Sequence, residues 1–166
     1  MVILFAIATY IALLIQTAVP LWFPFHVLIP NLIIILTVDL GLRHHGALPA
    51  IVAFAIGYAT DAMSGTTLGM NAFLMTGVFL LTYEISRRLL VTTALVGATV
   101  VVFAVMLAGF GAIVITSGRG AGVAINDAMP TLALQALISA IVAPMIFALL
   151  SGTKRVVGLP DRPDRE

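Results

Sequence analysis

Long apolar segments alternate with short polar ones along this chain, and the pattern predicts six helices. The uncharged stretch from Met1 to Val38 is too long for one membrane span, and it contains Pro20, Pro24 and Pro30, so it divides into two helices. Because a span needs about 20 apolar residues, the predicted helices cover about 2–21, 29–42, 47–62, 70–86, 90–116 and 130–150. Pro30 is predicted in the first turn of the second helix, where a missing N–H costs little.

The predicted fold class is all-α, a polytopic membrane protein with six transmembrane helices. The second helix is short, so we expect it to be partly covered by protein or flanked by a thinned bilayer. Pro144 is expected to kink the sixth helix. Residues 1–151 form the predicted transmembrane domain, and residues 152–166, rich in charge and proline, form a polar cytoplasmic tail that is predicted to be disordered.

The basic residues set the predicted orientation. With six spans and both termini in the cytoplasm, only Arg119 of the eight Lys and Arg residues falls outside. The seven predicted cytoplasmic residues are Arg43, Arg87, Arg88, Lys154, Arg155, Arg162 and Arg165. This asymmetry is what the positive-inside rule expects, whereas five spans would export the basic tail.

Composition excludes several classes of protein. Only 9% of the residues are charged and 61% are apolar, whereas a soluble domain carries about 25% charged residues. The net charge of +1 gives no basic surface for nucleic acid, and the absence of cysteine excludes disulfides and thiolate chemistry. No hydrolase, nucleotide-binding or metalloprotease motif is present, so we predict no enzyme, no metal site and no cofactor. The adjacent His44 and His45 are predicted to lie on a cytoplasmic turn.

Ionisable groups in a membrane segment are costly and therefore functional candidates. Asp39 lies four residues before Arg43, and Glu84 lies three and four residues before Arg87 and Arg88, so both acids are predicted to form local ion pairs.

Asp61 has no base within four residues in either direction, and polar residues follow it. Two interpretations stay open: a capped turn between the third and fourth helices, or an irregular polar segment that dips into the protein and forms a binding surface. Ala53, Gly57 and Asp61 are spaced four apart on one helical face, a pattern that allows close helix packing. The candidate partner-binding or structural residues are Asn31, Gly57, Asp61, Ser64, Gly65, Gly69 and Asn71.

Three segments carry recognisable motifs, and they read IPNLIIIL at 29–36, LGLR at 40–43 and AFAIGYATDAMSGTTLGMNAF at 53–73. Together they resemble the rod shape-determining protein MreD family of bacterial inner-membrane proteins, and the similarity is strongest over about residues 27–90. The chain departs from the family at Asn31, where an aspartate is common.

The resemblance implies a multi-pass protein of the bacterial inner (cytoplasmic) membrane. Its implied role is a non-enzymatic scaffold of the cell-wall elongation complex that binds MreC. Contacts with RodA and its partner transpeptidase, an indirect link to MreB, and contact with membrane lipid are also implied, whereas nucleic acid is not. The implied fold is similar to the S components of energy-coupling-factor transporters. An S component-like subunit that binds a small solute is therefore the alternative function.

Overall fold

The computed structural model describes residues 2–22, 30–44, 46–64, 68–88, 94–118 and 125–156. These residues form six helices and no strand, as the apolar pattern predicts. The helices are α1 (Val2–Trp22), α2 (Leu32–Arg43), α3 (Ala47–Ser64), α4 (Met70–Arg88), α5 (Ala94–Ser117) and α6 (Ile125–Val156).

Two helix starts differ from the prediction because of proline. The helix α2 begins at Leu32, since Asn31 caps it and Pro30 lies before the cap rather than in the first turn. The helix α6 begins at Ile125 and contains Pro130 in its second turn, so the predicted start near Pro130 is wrong. A proline within a helix removes one backbone hydrogen bond, and the remaining bonds of this 32-residue helix outweigh that loss.

The helix α6 also extends further than predicted at its other end. It continues to Val156, so residues 152–156 of the predicted tail are helical. Residues 157–166 lie outside the described part of the chain. Pro144 lies within α6, and the kink there stays a prediction.

The short helix α2 is the centre of the bundle. It packs against each of the other five helices, and every residue from Ile33 to Gly41 is buried. At about 1.5 Å per residue, its 12 residues span less than the hydrocarbon layer. Coverage by protein removes the need for lipid to match this short length.

The other helices surround α2 in two antiparallel pairs and one single helix. The helices α3 and α4 form one tightly packed pair and α5 and α6 form the other, while α4 also contacts α5. The helix α1 packs on α2 and α3.

The outer surface of the bundle is apolar. Large side chains such as Phe73, Phe103 and Ile141 are exposed, whereas alanines and glycines lie at the helix contacts. Within the described residues, three helices are long and apolar enough to cross a membrane: Ala47–Ser64, Val96–Ser117 and Ala128–Thr153. A shorter apolar stretch, Leu4–Ala18, lies in α1. A surface of this kind is stable in lipid and not in water.

Candidate functional site

Asp61 caps the start of α4 from the neighbouring helix α3. Its carboxylate accepts hydrogen bonds from the backbone N–H groups of Gly69 at 2.9 Å, Asn71 at 3.1 Å and Ala72 at 3.3 Å. The Asn71 side-chain amide donates a further bond to Asp61 Oδ1 at 2.9 Å. The first N–H groups of a helix have no partner within it, and a negative charge there also interacts favourably with the helix dipole. A carboxylate that is only 1% exposed is thus stabilised by several donors.

Gly69 explains why the cap comes from another helix. It occupies the N-cap position of α4, because its carbonyl accepts the first helical bond from the Phe73 N–H at 2.9 Å. A glycine has no side chain to cap with, and its φ of +94° lies in the left-handed region that favours glycine. Asp61 supplies the missing acceptor from eight residues upstream.

Gly57 brings α3 close enough for this cap to form. A Cβ atom at Gly57 would lie 2.4 Å from the Asn71 carbonyl oxygen and 2.5 Å from the Ala72 Cα atom. Both atoms belong to the α4 backbone, so a side chain could be accommodated only by moving a helix. Since Asp61 lies one turn after Gly57 on the same face of α3, the contact and the cap belong to one structural unit.

The structure therefore brings together Gly57, Asp61, Gly69 and Asn71, four of the seven candidate residues. Ser64 is the last residue of α3 and is exposed, and Leu68, the first described residue after the gap at 65–67, is also exposed. Gly65, with Thr66 and Thr67, lies outside the described residues. Within this cluster Gly57 and Asp61 are buried and Gly69 and Asn71 are half-buried, whereas Ser64 and Leu68 are among the exposed residues of this junction.

Asn31 belongs to a different polar cluster, at the start of α2. Its side-chain oxygen accepts a bond from the Ile34 N–H at 3.2 Å, and its own N–H donates to Ser139 Oγ on α6 at 3.0 Å. Gln16 on α1 donates to the Pro30 carbonyl at 3.2 Å. The cap at Asn31 uses a neutral amide oxygen, so it does not require an aspartate at this position.

Sequence reasoning missed Gln16 and the fully buried Ser139. Each is a polar residue inside an apolar span, which is the signal that could have identified it. Their bonds connect α1 and α6 to the start of the central helix.

The two predicted acid–base clusters lie at the ends of α2 and α4. Asp39 Oδ1 is 2.7 Å from Arg43 Nε, with the Asp39 side chain fully buried. Glu84 Oε1 is 2.8 Å from Arg88 Nη2, and both of these side chains are largely exposed. Among the described residues, Glu84 contacts Arg88. Arg87 lies in the same last turn of α4 and is exposed.

His44 lies between α2 and α3, in agreement with the predicted turn, and it is buried there. Its cytoplasmic location stays a prediction. His44 is the C-cap residue of α2, where its N–H donates to the Leu40 carbonyl at 3.0 Å. Its ring meets Phe5 of α1 edge to face, with centroids 5.7 Å apart. His44 thus helps to hold α1 against α2. His45 lies outside the described residues.

The contacts of Asp61, Ser139 and His44 join different helices, whereas the two ion pairs each lie within one helix. The part of the chain that the structure describes contains no group of three or more His, Asp or Glu residues that could hold a metal ion. The polar groups at the α3–α4 junction bind backbone donors of α4.

Comparison with known families identifies the chain. Residues 1–152 match the family model described as rod shape-determining protein MreD. The chain belongs to the MreD family. The resemblance inferred from the motifs at 29–73 is therefore confirmed, and it extends over both helical pairs. No curated protein and no solved structure matches the chain.

Family membership and the apolar helices together indicate a membrane protein with a role in rod shape determination. MreD proteins are structural, shape-determining proteins rather than a family of enzymes.

Proposed function

We propose that this protein is a non-enzymatic scaffold of the cell-wall elongation complex in the bacterial cytoplasmic membrane. It crosses the membrane six times with both termini in the cytoplasm. It binds MreC through transmembrane and outer-side surfaces, contacts RodA and its partner transpeptidase, and is linked indirectly to MreB. The observation that carries the proposal is the MreD family match over residues 1–152.

The distribution of polar groups supports a scaffold. The deeply buried polar side chains bind other groups of the same chain. Asp61 caps α4, Ser139 bonds to the start of α2, and Asp39 pairs with Arg43. The outer surface offers apolar helix faces, which are suited to packing against transmembrane helices of other proteins.

The junction between α3 and α4 is the proposed outer-side contact with MreC. Gly57 and Asp61 hold α3 against the start of α4 at this junction, and Ser64 and Leu68 are exposed there. Substitution of Gly57 or Asp61 would disturb the fold itself, so a test of binding requires an exposed residue.

Ser64 provides that test, and Ser117 provides its control. Each serine is exposed and is the last residue of a helix, α3 or α5, and both ends are predicted on the outer side. The protein and MreC are co-expressed and purified in a mild detergent. We expect Ser64→Arg to reduce the recovery of MreC about tenfold, because a large charged side chain enters the contact, whereas Ser117→Arg recovers it as the unmodified chain does.

Two results would contradict the proposal. One is purification of the intact, folded chain without MreC but with a small metabolite in equimolar amount, which would indicate a solute-binding subunit. The other is a rod-shaped cell population after depletion of the protein. Equal recovery of MreC with both serine variants would leave the scaffold in place and refute the α3–α4 junction as the contact.

A further inference from the structure

Gly77 lies in the middle of α4 on its exposed face, with open space around it. A Cβ atom built at this position would meet no other atom of the described chain within 4 Å. Glycine in a helix interior is less favourable than alanine by about 1 kcal/mol. Since no neighbour within the described chain needs the space, contacts among the described residues do not explain the glycine.

Other helical glycines are explained by contacts within the chain. A Cβ atom would come within 3 Å of a neighbouring helix at each of five such positions. These are Gly41, Gly57, Gly97, Gly109 and Gly111. Among the helical glycines that the structure describes, only Gly77 and Gly152 would meet nothing, and Gly152 lies near the end of α6.

Gly77 forms a notch in a continuous exposed stripe of α4. Phe73 lies one turn before it and is 73% exposed, and Leu80 and Leu81 lie one turn after it, also exposed. Glu84 lies two turns beyond Gly77 on the same face, followed by Arg88. We call this set the α4 outer face; its residues are Phe73, Gly77, Leu80, Leu81, Glu84 and Arg88.

The charged residues at one end of the α4 outer face, Glu84 and Arg88, can pair with the same two residues of a second copy. The side chains of Glu84 and Arg88 are 46% and 78% exposed, so both can reach a neighbouring molecule. In a dimer with two-fold symmetry, the same surface meets itself, and residue i of one copy contacts residue j of the other. Within one chain Glu84 and Arg88 pair with each other. In the dimer these two groups exchange partners and form two pairs between the copies, Glu84 with Arg88 in each direction.

We propose that the α4 outer face binds a second copy of this chain, with the two α4 helices crossing at Gly77. Helices associate in lipid by close van der Waals packing, which a glycine at the crossing point allows. The Glu84 and Arg88 pairs set the register and the parallel orientation, because exposed ion pairs contribute specificity more than affinity. The proposal is independent of MreC binding.

Cysteine cross-linking in native membranes tests the contact directly. The chain contains no cysteine, so a single introduced cysteine can form a disulfide only with another molecule. Leu80→Cys lies in the α4 outer face, and Leu137→Cys on α6 is a matched control, since the two leucines are 53% and 57% exposed. We expect Leu80→Cys to form a cross-linked dimer and Leu137→Cys to remain monomeric at equal expression.

The role of Gly77 at the proposed helix crossing is tested by a second substitution in the Leu80→Cys chain. Adding Gly77→Leu fills the space and should reduce the cross-linked fraction at least tenfold, whereas it should leave the folded monomer intact, because its Cβ meets no atom of the described chain. Gel filtration in mild detergent checks the monomer.

Charge reversal provides a second test that does not depend on Gly77. In the Leu80→Cys chain, Glu84→Arg alone and Arg88→Glu alone each place like charges opposite one another and should reduce the cross-linking. Co-expression of the two variants with different tags restores opposite charges at both pairs, so the mixed dimer should cross-link as the unmodified chain does.

Several results would overturn the proposal. These are equal cross-linking of Leu80→Cys and Leu137→Cys, no cross-linking of either, an unchanged dimer after Gly77→Leu, or no recovery in the mixed charge variants. If Leu80→Cys instead cross-links only to a different membrane protein, the α4 outer face binds that protein and the second copy is refuted.

Discussion

Asp61 is the residue on which the α3–α4 junction depends most. It replaces the N-cap side chain that Gly69 lacks, and it accepts three backbone bonds and one side-chain bond. Backbone donors left without a partner in a membrane interior cost several kcal/mol, since lipid cannot accept hydrogen bonds. A carboxylate has two oxygens with room for several donors, which explains why an acid occupies this buried position.

Asp61→Ala should therefore destabilise the protein strongly. We expect the free energy of unfolding to fall by about 3 kcal/mol, because the cap is lost and buried donors of α4 remain without acceptors. Asp61→Asn keeps one carbonyl oxygen and should lose about half as much. The measurement is an SDS titration of the purified chain in mild detergent, followed by circular dichroism. Equal stability of Asp61→Ala and the unmodified chain would show that the cap is unimportant.

At the level of the helices, close contact distinguishes the interior from the lipid-facing surface. At Gly57 of α3, the backbones of α3 and α4 are in close contact. Gly77 of α4 lies on the opposite, exposed side of that helix. Gly57 therefore allows close packing of two helices, whereas no contact within the described chain requires a glycine at Gly77.

Alanine substitution at the two glycines should separate these roles. Gly57→Ala places a methyl group against the α4 backbone and should lower the free energy of unfolding by about 2–3 kcal/mol. Gly77→Ala meets no atom of the described chain and should raise the stability of the monomer by up to about 1 kcal/mol. The same SDS titration, at a protein-to-detergent ratio that keeps the chain monomeric, measures both. A loss of stability at Gly77 as large as that at Gly57 would contradict this assignment.

At the scale of the whole molecule, the other five helices enclose α2, which explains how a membrane protein can contain a helix shorter than the bilayer. Its residues from Ile33 to Gly41 contact protein on every side, and the polar ends of α2 are held by Asn31 and by the Asp39–Arg43 pair. Burial in protein permits a helix shorter than the bilayer, because other helices rather than lipid surround it.

The orientation of the six predicted spans is tested with reporters at three places. A reporter fused after Lys154 and one inserted at Gly46, between α2 and α3, should both be cytoplasmic. One inserted after Gly118, at the end of α5, should be on the outer side. These outcomes follow from the predicted topology, which places seven of the eight basic residues on the cytoplasmic side. An outer-side signal after Lys154 would refute both the span number and the orientation.

The sequence determined the helices and the family. Apolar segments and prolines located all six helices, and the motifs around Asn31 and Asp61 indicated the MreD family. Sequence patterns predict helix ends less accurately at prolines, because Pro130 lies inside α6 rather than at its start. Local spacing also predicted ion-pair partners of Asp39 and Glu84 about one turn away. The period of the helix alone brings residues four apart onto the same face.

Only the tertiary structure decided which faces are buried and what Asp61 binds. In a membrane protein the interior and the lipid are both apolar, so hydropathy cannot distinguish the enclosed α2 from the exposed face of α4. The bond from Asn31 to Ser139 joins residues 108 positions apart, and no local pattern predicts such a pair. The sequence left two interpretations of Asp61, and the packing of Gly57 against α4 is what brings its carboxylate to the donors of that helix.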